Sequence, residues 1–293
     1  MRQFVLQGND EAASFLDLND WQNNGIAISK KDLGNPTVRE VIYDHSDQDG
    51  SDDQTRFLSQ RVVSLTGKCF GIPGQSRSRA WLLLQPFLDP AARSTLFFQM
   101  DDDDVQNLSL SNLRVSQYSK VASSPTAFDF SIQFKCDPAA YGPFNASTFV
   151  PTGLAGAGRA YPLTFNRVYP SSGAGAPAVI TSAGTFKTWP IYRIHGPCTN
   201  PYVSIVVNNN TSQIIGQFGL LTTIPGGQYI EVDSHARTVL LGGVGGSSRY
   251  STVDFANTNW VPMQPGANTL IFTASVASAG CMCQLLWADA YMV

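Results

Sequence analysis

Three segments decide the fold: Pro190–Asn210, PIYRIHGPCTNPYVSIVVNNN; Gly219–Gly243, GLLTTIPGGQYIEVDSHARTVLLGG; and Asn259–Ser275, NWVPMQPGANTLIFTAS. Each is a short run of β-branched and aromatic residues closed by Gly, Pro or Asn, the pattern of antiparallel strands and their turns. Their order carries the reading. A strand ends at Gly196-Pro197, and the next ends at Asn208, Asn209 and Asn210. Pro225-Gly226-Gly227 then turns the chain into Tyr229–Asp233, the Arg237-Thr238-Val239 strand follows, and Pro265–Asn268 launches Thr269–Phe272.

Working outward, 293 residues suit two domains that can each bury a core. Only 14% of residues are charged against 43% hydrophobic, with 25 Gly and 17 Pro to supply turns, which excludes a disordered chain. The formal net charge of −3 gives no general attraction to nucleic acid or anionic membranes. No window reaches the roughly 18 apolar residues of a membrane span, and MRQFVLQGNDEAASF lacks a signal-peptide core, so synthesis and folding in a host cytoplasm are expected. Cys69, Cys136, Cys198, Cys281 and Cys283 are odd in number and scattered, and they read as reduced.

In the first half, Ile26–Ile28, Val38–Tyr43, Thr95–Met100, Leu108–Tyr118 and the strictly alternating Ala127–Phe134 read as strands. One helix is expected. It opens near Ser76 or Ser78 and runs to about Leu88, with Trp81, Leu84 and Leu88 on one face and Pro86 limiting or kinking it. After Asp137-Pro138 and Tyr141-Gly142-Pro143 the composition shifts to Gly, Ala, Ser and Pro, through GLAGAGRAYP and SSGAGAPA. That shift marks a boundary: residues 1–142 form one domain, 143–189 a linker and first strands, and 190–293 the remainder of a second. Limited proteolysis near residues 142–160 is expected to leave two folded fragments.

The clusters with chemical potential read as structural. Asp44, Asp47, Asp49, Asp52 and Asp53 crowd one loop and Asp101–Asp104 another, but neither has calcium-loop spacing, so both read as solvated or interface-lining. Asp233-Ser234-His235 are too close in sequence to converge as a catalytic triad. His45 and His195 lack partners at zinc-ligand spacing, and Cys281 and Cys283, on one strand face, lack a second pair. Gly153–Gly158 follows no strand and opens no helix, so it reads as a linker, and Gly242–Gly246 as a loop. No catalytic, cofactor-binding or metal-binding residue is assigned, and no cofactor is called for.

The order of these elements resembles the siphophage distal tail proteins. In the N-terminal half the resemblance rests on Asp49-Gly50, Arg61–Gly67, one helix and Phe134–Tyr141 with its terminal Asp-Pro-x-x-Tyr. Further on it rests on Arg159–Pro162, Gly184-Thr185 and Pro190–Pro197. The resemblance implies a mostly β protein of two antiparallel β-sandwich domains: a tail-tube-like N-terminal domain with a single helix and a galectin-like C-terminal domain. It further implies a non-enzymatic structural protein of the virion tail tip. The N-terminal domain would form a hexameric ring joining the tail tube protein to the tip hub and tape-measure proteins, with DNA passing through and no membrane insertion. Two rivals stand beside it. A carbohydrate-binding receptor protein would share the galectin-like half, but Trp189 and Trp260 are present without any His-x-Asn-x-Arg strand. A glycoside hydrolase would need two facing carboxylates, and residues 143–293 hold only Glu231, Asp233, Asp254 and Asp289.

Overall fold

The computed structural model describes residues 4–8, 15–39, 42–44, 51–53, 57–72, 76–99, 107–151, 177–207, 214–260, 262–278 and 280–292. Asp47, Asp49, His45, Asp101–Asp104, Gly153–Gly158, Arg159–Pro162 and Asn208–Asn210 lie outside the described residues. The chain divides into two compact units, one of Met1–Pro143 with Tyr291–Val293 and one of Phe144–Ala290.

The strands of the first unit are β1 (Phe4–Gly8), β2 (Phe15–Asp17), β3 (Ile26–Asp32), β4 (Val38–Arg39), β5 (Ile42–Asp44), β6 (Ser51–Asp53), β7 (Phe57–Leu58), β8 (Arg61–Phe70), β9 (Ser94–Gln99), β10 (Asn107–Ser124) and β11 (Ala127–Cys136). The next strand, β12 (Ala140–Phe149), runs across the division into the second unit. The helix α1 spans Arg77–Leu84 and continues as a 3-10 turn, Gln85–Leu88. Pro86 lacks the donor a further α-turn requires, so the tighter turn takes over there. Ser76 occupies the N-cap through its backbone, whose carbonyl accepts from the Arg79 N–H at 3.0 Å; no side-chain cap bond forms. Ala80, Trp81, Leu84, Phe87 and Leu88 are buried.

One long strand organises this unit. β10 pairs with β9 through Asn107–Leu113 and with β11 through Arg114–Ser124, so it passes from one sheet to the other within its own length. The switch falls at a register shift after Leu110, where Asn112 takes φ 57°. Such bulged bends are how a strand serves two packed sheets. Asn112 donates through Nδ2 to Asp137 Oδ2 at 2.7 Å, and Asp137 N–H donates to Ser111 O at 3.3 Å. The Asp-Pro motif therefore clamps the bend. Because left-handed backbone costs an ordinary L-residue about 1–2 kcal/mol, Asn112→Ala is expected to lower stability by at least that amount in urea melts. Asn112→Gly is expected to lose less, although it too lacks the Asp137 bond.

Between the two sheets lie Phe4, Leu6, Val63, Leu65, Leu96, Phe98, Leu110, Phe130, Ile132 and Phe134, closed at one side by Trp81, Leu84 and Phe87. The alternation of β11 puts Phe128, Phe130, Ile132 and Phe134 on this buried face. Lys120 places Nζ 4.8 Å from the Trp81 ring and 4.0 Å from the Phe128 ring, and Arg77 stands 4.2 Å over Phe128. These cations tie α1 to the β10–β11 hairpin.

Two sheets also make the second unit. One contains β13 (Ala178–Ser182), β20 (Gly266–Ala277), β15 (Cys198–Val207) and β16 (Ile214–Gly219), with β17 (Thr223–Ile224) beside β15. The other contains β19 (Thr238–Leu241), β18 (Tyr229–Asp233), β14 (Ile191–His195) and β21 (Met282–Tyr291). All ladders are antiparallel. Val203, Ile205, Phe218, Leu270 and Phe272 from one sheet meet Ile194, Ile230, Val232, Leu285 and Trp287 from the other in a single core. Gly196 passes so close to the Pro225–Gly227 turn that a Cβ would fall 2.2 Å from Pro225 O, which explains the glycine.

Within Val38–Tyr43, Val38–Arg39 pairs with Phe57–Leu58, and Ile42–Tyr43 belongs to the ladder of Ile42–Asp44 with Ser51–Asp53. The division between the units falls after Pro143, inside strand β12. Phe149, which follows on that strand, is buried in the second unit's core with its ring 6.0 Å from Phe272. A protease cut between residues 152 and 160 would therefore leave part of the second unit's core on the N-terminal piece. The two pieces are expected to co-elute on gel filtration until denatured, and separation under native conditions would show that Phe149 contributes little.

Candidate assembly surfaces

The surfaces that could bind follow from which strand edges and side chains the fold leaves over. In the first unit the sheet order β10-β11-β8-β3 ends on two unlike edges. At one end Ser116–Ser124 of β10 is exposed throughout, and its only partner among the described strands is β11. At the other end β8 is the partner of β3 among the described strands, with Ser29, Lys30 and Asp32 exposed. Tyr118 and Val121 on β10, 54% and 61% exposed, and Leu82 on α1, 57% exposed, add apolar side chains to the otherwise polar first edge. A long free edge of this kind invites pairing with another strand.

The Asp-Pro-x-x-Tyr stretch proves to be an internal corner. Arg61, fully buried, donates through Nε to Pro138 O at 3.1 Å, and Ser109 Oγ donates to Tyr141 O at 3.1 Å. Burial, with Asp137 nearby, pushes the Tyr141 hydroxyl up to about 12.

The four carboxylates of the second unit are each committed to structure. Glu231 Oε2 pairs with Arg193 Nε at 2.7 Å across the β14–β18 ladder. Asp233 Oδ1 accepts from the backbone N–H groups of His235 and Ala236 at 2.8 and 2.9 Å, an Asx turn. Ser234 is buried, and the His235 ring faces Trp189 with centroids 6.2 Å apart. Asp254 Oδ2 accepts from Tyr202 Oη at 2.6 Å and Asn257 Nδ2 at 2.7 Å. Asp289 gathers Ser182 Oγ, Ala183 N–H and Trp287 Nε1 on Oδ1 and Asn145 Nδ2 on Oδ2. A lone acid in the apolar strand CQLLWADAY was the available signal for this last cluster, and pattern reading passed over it.

The Asn257 and Tyr202 hydrogen bonds hold the Asp254 carboxyl below its ordinary range. A depressed carboxylate adds stability that is present above its unfolded value near 4 and is lost as pH falls through its folded value. Wild type is therefore expected to melt at a higher temperature than Asp254→Asn at pH 7, with the gap shrinking below about pH 4. A gap independent of pH would contradict it.

All five cysteines are free and buried. The nearby Cys198 thiol, 83 residues away in sequence, and burial raise Cys281, a pairing that local spacing could not show. Burial alone is the main cause that raises Cys283. Burial and the Arg193 charge lower His195, whose ring stacks on Tyr229 at 5.2 Å. Trp260 packs on Phe218 at 5.1 Å, committing it to the sandwich. Among the described residues no group of three or more His, Cys, Asp and Glu side chains is arranged to hold a metal ion.

Known proteins share this architecture. Residues 183–291 match the family described as "Siphovirus-type tail component, C-terminal domain". The fold of the whole chain is similar to that of Dit from phage SPP1, described as a paradigm of hub adsorption apparatus in phages infecting Gram-positive bacteria. That match has a TM-score of 0.64 at 14% identity and covers 98% of each chain. Residues 183–291 thus carry a siphovirus-type tail-component domain, and the whole chain has the fold of the hub protein. Chains of the phage P2 baseplate in its activated conformation are also similar. With Ca the TM-score is 0.54 at 14% identity, over 99% of this chain and 98% of that one. With Sr it is 0.54 at 15% identity, over 98% of each. None of the curated proteins matches the chain. The family match favours a tail-component role over the sugar-receptor alternative.

Proposed function

We propose that the first unit, essentially residues 1–142, assembles head to tail into a hexameric ring that continues the tail tube. The second unit then projects as a galectin-like platform for other tip proteins. The observation that carries this reading is the pair of unlike free edges on the β10-β11-β8-β3 sheet. A ring of identical copies needs a heterologous interface, one patch meeting a different one. An exposed β10 edge on one copy and an exposed β3 edge on the next supply two such patches, joined by strand addition. The partners are the tail tube protein on one side and the tip hub and tape-measure proteins on the other, with DNA crossing the centre and no catalytic step.

Negative-stain images of purified full-length protein at high concentration provide the test. Rings of sixfold symmetry with an open centre are expected. Monomers at every concentration, or closed twofold dimers, would overturn the reading, because a twofold contact uses the same patch on both copies.

A further inference from the structure

The two end strands of the β10-β11-β8-β3 sheet carry unlike features on one and the same face. Residues directly opposite each other in a ladder share a face, so rows of side chains cross the sheet from edge to edge. One row runs Tyr118, Ile132, Leu65, Lys31, and the next runs Lys120, Phe130, Gly67, Ile28. Ile132, Leu65 and Phe130 are buried in the first unit's core. Tyr118 at one end, and Lys31 and Ile28 at the other, therefore all lie on the core-facing side.

At the β10 end the row finishes in a knob. Tyr118 keeps 54% of its surface exposed, although its ring lies near Trp81 with centroids 6.1 Å apart. At the β3 end the rows finish in a hollow. Phe4, Asn19, Ile28, Ser29 and Lys31 line an open recess of about 200 Å³ beside the strand, where a register shift between Ile28 and Lys30 sets Ser29 out of the ladder. Lys31 Nζ stands 4.6 Å from the centroid of the Phe4 ring within this lining. The recess is larger than the roughly 150 Å³ cavity that takes up benzene, so it has room for a phenol ring.

We propose that Tyr118 of one copy fills the recess between Phe4 and Ile28 of the next, as the anchor of the head-to-tail contact. The inference rests on the ring reading above and adds to it the side chain that sets the register of the two edges. A second copy is the occupant because a strand added to a sheet edge keeps the faces of that sheet. β10 laid along β3 carries Tyr118 on the side where the recess opens, and Tyr118 and Lys31 already end the same row. Knob and hollow sit at opposite ends of one sheet, so they meet only between different copies, as a heterologous contact requires. In the recess the ring meets Phe4 and the Lys31 ammonium, contacts that favour an aromatic over an aliphatic side chain.

The test measures the midpoint concentration for assembly of full-length protein by light scattering. Tyr118→Ala removes the knob and Ser29→Trp fills the recess. Each should raise the midpoint by about tenfold or more, and both positions are exposed, so each variant should melt like wild type. Each variant keeps the half that the other lacks. Mixed in equal amounts at the wild-type midpoint, where neither assembles alone, the two should form dimers and stop there, because one Tyr118 and one open recess remain per pair. Misfolding could not produce such complementation. Variants that assemble like wild type, or a mixture that stays monomeric, overturn the contact and leave the ring standing on its strand edges. Wild type that stays monomeric at every concentration overturns the ring and the contact together.

Discussion

Phe134→Ala and Phe272→Ala are each expected to cost about 3–5 kcal/mol, and to do so in different parts of the molecule. Both rings are essentially inaccessible, at 0% and 1% exposure. Phe134 lies on β11 under the first unit's sheet, within a cluster drawn from β1, β8, β9, β10, β11 and α1. Phe272 lies on β20 in the second unit's core, edge-on to Phe149. Removing either ring leaves a cavity that paired strands cannot close without breaking ladder hydrogen bonds, which puts the loss toward the upper end of the range. The cores are separate, so calorimetry should show each substitution lowering the transition of its own unit. Equal lowering of one shared transition by both would show that the chain unfolds as one block.

What made these cores legible was period. Ala127–Phe134 alternates strictly because one face of β11 is buried and the other is not, and Trp81, Leu84 and Leu88 repeat at helical spacing for the same reason. Pro225-Gly226-Gly227 was legible as a turn because its chemistry is local: a proline and two glycines act within a few residues. Where tertiary context decides, the pattern failed. β10 continues past Tyr118 through SKVASS, a polar run that looks like a loop, because an exposed edge needs no apolar alternation. Gly142-Pro143 reads as a stop, yet Pro143 is exposed on β12, a position where a strand tolerates a missing donor. The candidate surfaces were hidden for a similar reason. An edge is defined by the strand that is absent beside it.

The other large effect is expected from Asp101–Asp104. These four lie in the connection between β9 and β10, whose last and first residues, Gln99 and Asn107, are paired. Together with the five hairpin aspartates they account for nine of the 22 acidic residues, leaving 13 acids against 19 bases, or +6, on the rest of the chain. The Asp101–Asp104 cluster calls for a reason of its own. We propose that it faces the lumen of the ring, where its charge is multiplied by the number of copies and repels DNA phosphates during passage. Repulsion of this kind limits adhesion to the wall and acts most strongly at low salt, where screening beyond about 10 Å has not yet removed it. Replacing Asp101–Asp104 by Asn is expected to leave ring formation intact while slowing genome ejection from assembled virions, with the defect largest in low-salt buffer. Normal ejection from intact rings carrying the Asn variant, or an image of the ring placing the β9–β10 connection on its outer rim, would remove the lumen role and leave the adaptor function unaffected.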